Sequence, residues 1–126
     1  MSKIYKSSSE ALPEKSIIQN AIITSVSLSM EDHEVLTSFI HVEKEDGWSQ
    51  GFGGYTLYLP KTFNYHKTES FAGHFIARVL SVSGVKNWKD VVGKAIRVCD
   101  FGGKIIAIGN IIKDDWFIPE EDFRSN

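Results

Sequence analysis

Phe71, His74 and Arg78 stand at i, i+3 and i+7, so on a helix they share one rim: an aromatic ring, a hydrogen-bond donor and a guanidinium. That trio suits a nucleotide. The ring can stack on a base, and the guanidinium can pair with phosphate oxygens in fork geometry. Arg97, on the outward face of a stretch that reads as a strand, is a second candidate for the phosphates. Plainer roles compete, since Phe71 can be core and Arg78 can cover the helix with its aliphatic stem. Catalytic chemistry has less to draw on. His33, His41, His66 and His74 fall on different expected elements, with no motif pairing any two. Asp114 and Asp115 are adjacent, so on extended backbone they point apart and do not form a paired acid and base. Cys99 lies mid-strand without a nucleophile signature, and packing in the core is its expected role. No enzymatic activity, no metal site and no cofactor is expected.

The elements that would position these groups can be read from apolar periodicity. Gln50-Gly51-Phe52-Gly53-Gly54-Tyr55 sets three glycines and two aromatics in what otherwise reads as a strand. Such a run marks a bulge, a bend, or a close approach by a ligand or another backbone. It is no phosphate loop, because it lacks the lysine and following helix of a Walker motif and the spacing of a dinucleotide fingerprint. Alternation over Asn20 to Leu28, Val35 to Glu43 and Trp48 to about Leu59 predicts a three-stranded meander. Pro60 ends it, and the polar and aromatic stretch Lys61 to Lys67 is expected to be a loop. A helix capped by Thr68 or Ser70 runs through Val82, with Phe71, Phe75, Val79 and Val82 on one stripe and Ile76 and Leu80 beside it. Asn87 to Gly93 suggests a short second helix. Lys94 to Phe101 and Lys104 to Ile112 form a hairpin joined at Gly102-Gly103. With Ile96 and Val98 inward, the partner strand turns either Ile106, Ile108 and Ile112 or Ile105, Ala107 and Ile111 to the core. The segment from Asp114 through Phe123 is expected to fold back onto the body.

The expected fold class is therefore α+β: an antiparallel β-sheet of about five strands, a meander plus a C-terminal hairpin, with one long and one short helix between strands three and four. Residues 1–16, rich in serine and charge, are expected to be a flexible tail, and residues 17–126 a single domain. A net charge of −2 supplies no global field for DNA or RNA, so DNA binding is not expected. One cysteine forms no internal disulfide, and no apolar run reaches membrane-spanning length. A cytoplasmic location without membrane attachment is the expectation.

Four segments carry a family likeness: Ala21-Ile22-Ile23-Thr24-Ser25-Val26, the glycine-rich run Gln50 to Tyr55, Gly93-Lys94-Ala95-Ile96-Arg97-Val98, and Ile108-Gly109-Asn110-Ile111-Ile112-Lys113-Asp114-Asp115-Trp116-Phe117. In order and spacing they resemble the Thoeris anti-defence sponges, small phage and prophage proteins that sequester cyclic ADP-ribose isomers made by bacterial TIR-domain enzymes. The resemblance covers Asn20 to about Phe123. It implies an α+β subunit that forms dimers or larger homo-oligomers with ligand pockets between subunits, acting in the cytoplasm of the host bacterium. Its ligands would be cyclic ADP-ribose isomers or cyclic oligonucleotides, bound without turnover. The candidate ligand-binding residues are then Phe71, His74, Arg78, Arg97 and Asn110; Arg97 matches the family's strand pattern, whereas Phe71 and Arg78 are placed by helix position only. The alternatives are a protein-interaction inhibitor of a defence effector, using Trp48, Trp116 and Phe123, or a structural phage protein.

Overall fold

The computed structural model describes residues 7–31, 35–57 and 71–122. It is an α+β structure built on a six-stranded antiparallel sheet. The strands are β1 (Ile17–Glu31), β2 (Val35–Lys44), β3 (Ser49–Leu57), β4 (Ala95–Phe101), β5 (Lys104–Asn110) and β6 (Trp116–Phe117). Their order across the sheet is β3-β2-β1-β4-β5-β6. Helix α1 (Phe71–Ser83) links the meander to the hairpin, and a single turn, α2 (Pro119–Asp122), follows β6.

The meander, the long helix and the glycine-linked hairpin lie where periodicity puts them. Two details differ. The sheet has six strands, because Trp116 and Phe117 add to the edge of β5. The expected second helix shrinks to a 3-10 turn at Trp88–Asp90: the stretch between Gly84 and Gly93 is short for a helical ladder, and it is held to the core by Val85, Trp88 and the fully buried Val91. The loop Lys61 to Lys67, His33, His66 and Phe123 lie outside the described residues.

The main core fills one face of the sheet. Phe75, Val79 and Val82 of α1 are fully buried against Ile23, Ile40, Val42, Phe52, Ile96, Val98 and Phe117. Each such side chain contributes on the order of 1.5–3 kcal/mol when removed from water. The hairpin's two alternative faces are both used, because the β4–β5 register shifts between Cys99 and Asp100. Ile106 becomes the extra residue of a bulge, so Ile105 and Ile108 both enter the main core. On the opposite face, Cys99, Ala107, Trp116 and Ile118 form a second, smaller cluster covered in part by Leu12. Burial there pushes the Cys99 thiol above its usual range, with a Ser16 hydrogen bond opposing.

Ser7 to Ser16, within the expected tail, lie along this second cluster. Ser7 bridges Trp116 through paired backbone bonds of 3.1 and 2.9 Å, and the Ser9 N–H donates to the Asp114 carboxylate at 2.9 Å. The outer edge of β6 is thereby occupied.

Gly109 is a packing requirement of this face. A Cβ there would fall 2.5–2.7 Å from three atoms of the Trp116 indole, whose ring covers the glycine. Gly109→Ala is expected to destabilise the fold by about 1–3 kcal/mol through overpacking. Urea unfolding measures the cost, and a red-shifted tryptophan emission would report the displaced indole.

Candidate functional site

The strongly curved sheet brings β3 close to β5, although three strands separate them in the sheet. The Phe52 ring of β3 meets the Phe117 ring of β6 edge-to-face at 6.0 Å beneath this seam. Above it lies a cavity of about 400 Å³. One wall is β3 at Gly51, Phe52 and Gly53, the other is β5 at Lys104 to Ile106, and Phe39 and Glu120 close the sides. Phe39 stands edge-on to His41 at 5.1 Å, and the His41 imidazole lies over Gly51, where a Cβ would be 3.4 Å from Nε2. The Phe39 ring, a bare strip of backbone and a lysine thus surround one opening, with His41 packed against Phe39 and Gly51.

The glycines of β3 have separate reasons. Gly53 has φ +120°, and a Cβ on it would sit 2.6 Å from Cζ of Phe75, so the helix core presses directly on this backbone. Gly54 is the extra residue of a bulge between Gly53 and Tyr55. Gly51 has only an ordinary contact, with the end of the His41 side chain. It keeps the wall of the cavity free of side chain.

The expected ligand residues are placed differently. Arg78 is wholly buried, with 0% of its surface exposed. Its Nε donates to Asp122 at 3.2 Å, Nη2 to Asp115 at 2.8 Å and to the Trp116 carbonyl at 2.9 Å, and Nη1 to Ser81 at 3.0 Å. Asp122 in turn accepts from the Ser7 hydroxyl at 2.6 Å. Arg78 therefore joins α1 to β6, α2 and the N-terminal segment, and its guanidinium is engaged by the chain itself.

Arg97 lies on the helix-free face, stacked on the Trp116 ring at 5.1 Å. Its Nε donates to the Asn110 carbonyl at 2.7 Å and its Nη2 to that of Lys113 at 2.8 Å. Asn110 donates to the Val82 carbonyl at 2.8 Å, and its Oδ1 accepts from Ile112 N and Lys113 N. The structure thus joins Arg97 to Asn110 and ties both to the loop after β5. His74 stacks on Phe117 at 6.1 Å within the helix packing. The side chain of Phe71 lies outside what the structure describes. Among the described side chains, His74, Arg78, Arg97 and Asn110 do not line one opening. Trp116, expected as an exposed contact, is fully buried, whereas Trp48 is 74% exposed.

A larger groove of about 540 Å³ crosses the helix-free face over Asn20, Ile22, Ala95 and Ile111. Glu43 and Glu45 border it, and Lys44, which also lines it, is already paired with Asp100 at 3.3 Å. Two rim carboxylates disfavour an anion there. The smaller seam balances Lys104 against the one carboxylate of Glu120 and adds the Phe39 and Phe52 rings, and is the better site for an anionic heterocycle.

Sequence reasoning singled out the glycine run as a contact surface but missed Phe39 and Lys104. The available signal for Lys104 was its position directly after the Gly102-Gly103 turn, which fixes it at the start of a strand. Nothing local told that this strand would meet β3. Among the described residues no three His, Cys, Asp or Glu side chains are grouped to hold a metal ion. No described helix is long and apolar enough to cross a membrane. No protein-family model and no curated protein matches the chain.

Proposed function

We propose that this chain is a non-enzymatic phage or prophage anti-defence protein that binds and sequesters a cyclic nucleotide immune signal, a cyclic ADP-ribose isomer, without degrading it. The β3–β5 cavity carries the reading: about 400 Å³, within the usual range for small ligands, with the Phe39 ring for a base and Lys104 for phosphate. The likeness of the glycine-rich run and of the last segment to the Thoeris anti-defence sponges supplies the ligand class. Sequestration needs affinity alone; a nanomolar site corresponds to about −12 kcal/mol. Exposed Ile17, Ile22 and Ile112 support assembly into dimers or larger homo-oligomers in the host cytoplasm.

The test is a thermal-shift screen with cyclic ADP-ribose isomers and cyclic oligonucleotides. A ligand at a hundred times its Kd stabilises the native state by about 2.7 kcal/mol, enough to raise the Tm measurably. Heating the complex should then return intact nucleotide. Lys104→Ala is expected to weaken binding by about tenfold, the size of one charge-assisted hydrogen bond, without lowering the Tm of the free protein. No shift with any of these compounds would refute the assignment, and recovery of hydrolysed nucleotide would make the protein an enzyme. A second reading, inhibition of a defence effector by direct contact, is favoured by Trp48 and by Ile112 at 85% exposure. It expects no response to any nucleotide.

A further inference from the structure

Strand β3 is an edge strand, and among the described residues it pairs only with β2. From Ser49 to Leu57 it contains no charged residue and no proline, the usual protections of an edge. The direction of its backbone groups follows from the register. Lys44 N–H donates to the Trp48 carbonyl at 2.9 Å, so that pair belongs to the hydrogen-bonded set. Antiparallel alternation then places Val42 with Gln50, and Ile40 with Phe52, in the same set. Phe52 thus turns both its N–H and its C=O toward β2. Across a trans peptide the two groups point opposite ways, so the Gly51 C=O and the Gly53 N–H point to the open edge. Both glycines line the cavity.

An acceptor and a donor, two residues apart on one edge, stand there as they would to receive another strand. The same pair matches the edge of a nucleobase on which a donor and an acceptor are neighbours. On adenine these are the N6 amino group and N1. Resting on the function proposed above, we infer that the β3 edge reads the adenine base, with N6–H donating to the Gly51 carbonyl and the Gly53 N–H donating to N1. Phe39 flanks the ring and Lys104, on the opposite wall, takes a phosphate. A side chain at position 51 would stand between the base and His41, which gives Gly51 a role that stability does not explain.

Recognition by backbone predicts sensitivity to the base edge rather than to charge. Calorimetric titration of the full chain would compare a cyclic ADP-ribose isomer closed through ribose hydroxyls with its 1,N6-etheno derivative, in which N1 and N6 are bridged while both phosphates remain. The unmodified isomer should bind at least tenfold more tightly. Amide exchange should show the Gly53 N–H slowed on binding, with Phe52 N–H, already in the ladder, unchanged. Equal affinity for the two compounds, or a Gly53 amide that does not slow, overturns base reading and leaves sequestration standing. Binding of neither compound overturns both.

Discussion

Replacing Arg78 by methionine should lower the stability of the native chain by about 3–5 kcal/mol, the cost of leaving buried carboxylate without its cation. Asp122 is fully buried, Asp115 is partly buried, and both pair with this guanidinium at 3.2 and 2.8 Å. The Trp116 carbonyl would lose a donor as well. Methionine keeps most of the aliphatic stem but loses the guanidinium that stands 5.9 Å over the Phe117 ring, so the loss falls on the charged end. A double substitution separates the terms. Arg78→Met with Asp122→Leu should cost clearly less than the sum of the two single changes, since the stranded charge is then removed with its partner. Equal additivity in urea unfolding would show that the pair contributes nothing beyond its separate contacts.

Gly53→Ala should be comparably damaging, by about 2–6 kcal/mol. Two independent costs combine: about 1–3 kcal/mol for an L-residue held at φ +120°, and about 1–3 kcal/mol for a methyl 2.6 Å from the Phe75 ring. Gly51→Ala, two positions away, has neither penalty and should stay within about 1 kcal/mol of the parent. The contrast matters for function. If the glycine run existed only to admit the helix, Gly51→Ala would leave ligand affinity unchanged; a loss of nucleotide binding in a fully stable Gly51→Ala protein would assign that glycine to the ligand.

Strong periodic segments were legible in the sequence, and for a physical reason. Phe75, Val79 and Val82 repeat with the helix, Ile96 and Val98 alternate with the strand, and Gly102-Gly103 supply the positive φ values, +62° and +81°, that the hairpin turn requires. β6 was not legible because two residues carry no period, and its pairing depends on a β5 edge that exists only after folding. The strict choice between the two hairpin faces failed at Ile106, since a bulge resets parity and leaves no mark in the pattern. Arg78 was read by its helical neighbours, whereas its carboxylate partners lie 37 and 44 positions along the chain. The same holds for the seam: the glycine run announced a close approach, but Lys104 reaches it only through curvature of the whole sheet.

Asp122 accepts from Ser7 across 115 positions and from Arg78 across 44. A nascent polypeptide on the ribosome cannot make this clasp until Asp122 has cleared the exit tunnel. The meander and α1 emerge first, with the Arg78 charge still hydrated and its interior place unfilled. Maturation is therefore gated by the last-synthesised part of the described chain, and premature termination before Asp122 leaves a species whose buried cation has lost a partner and whose N-terminal segment has lost an anchor.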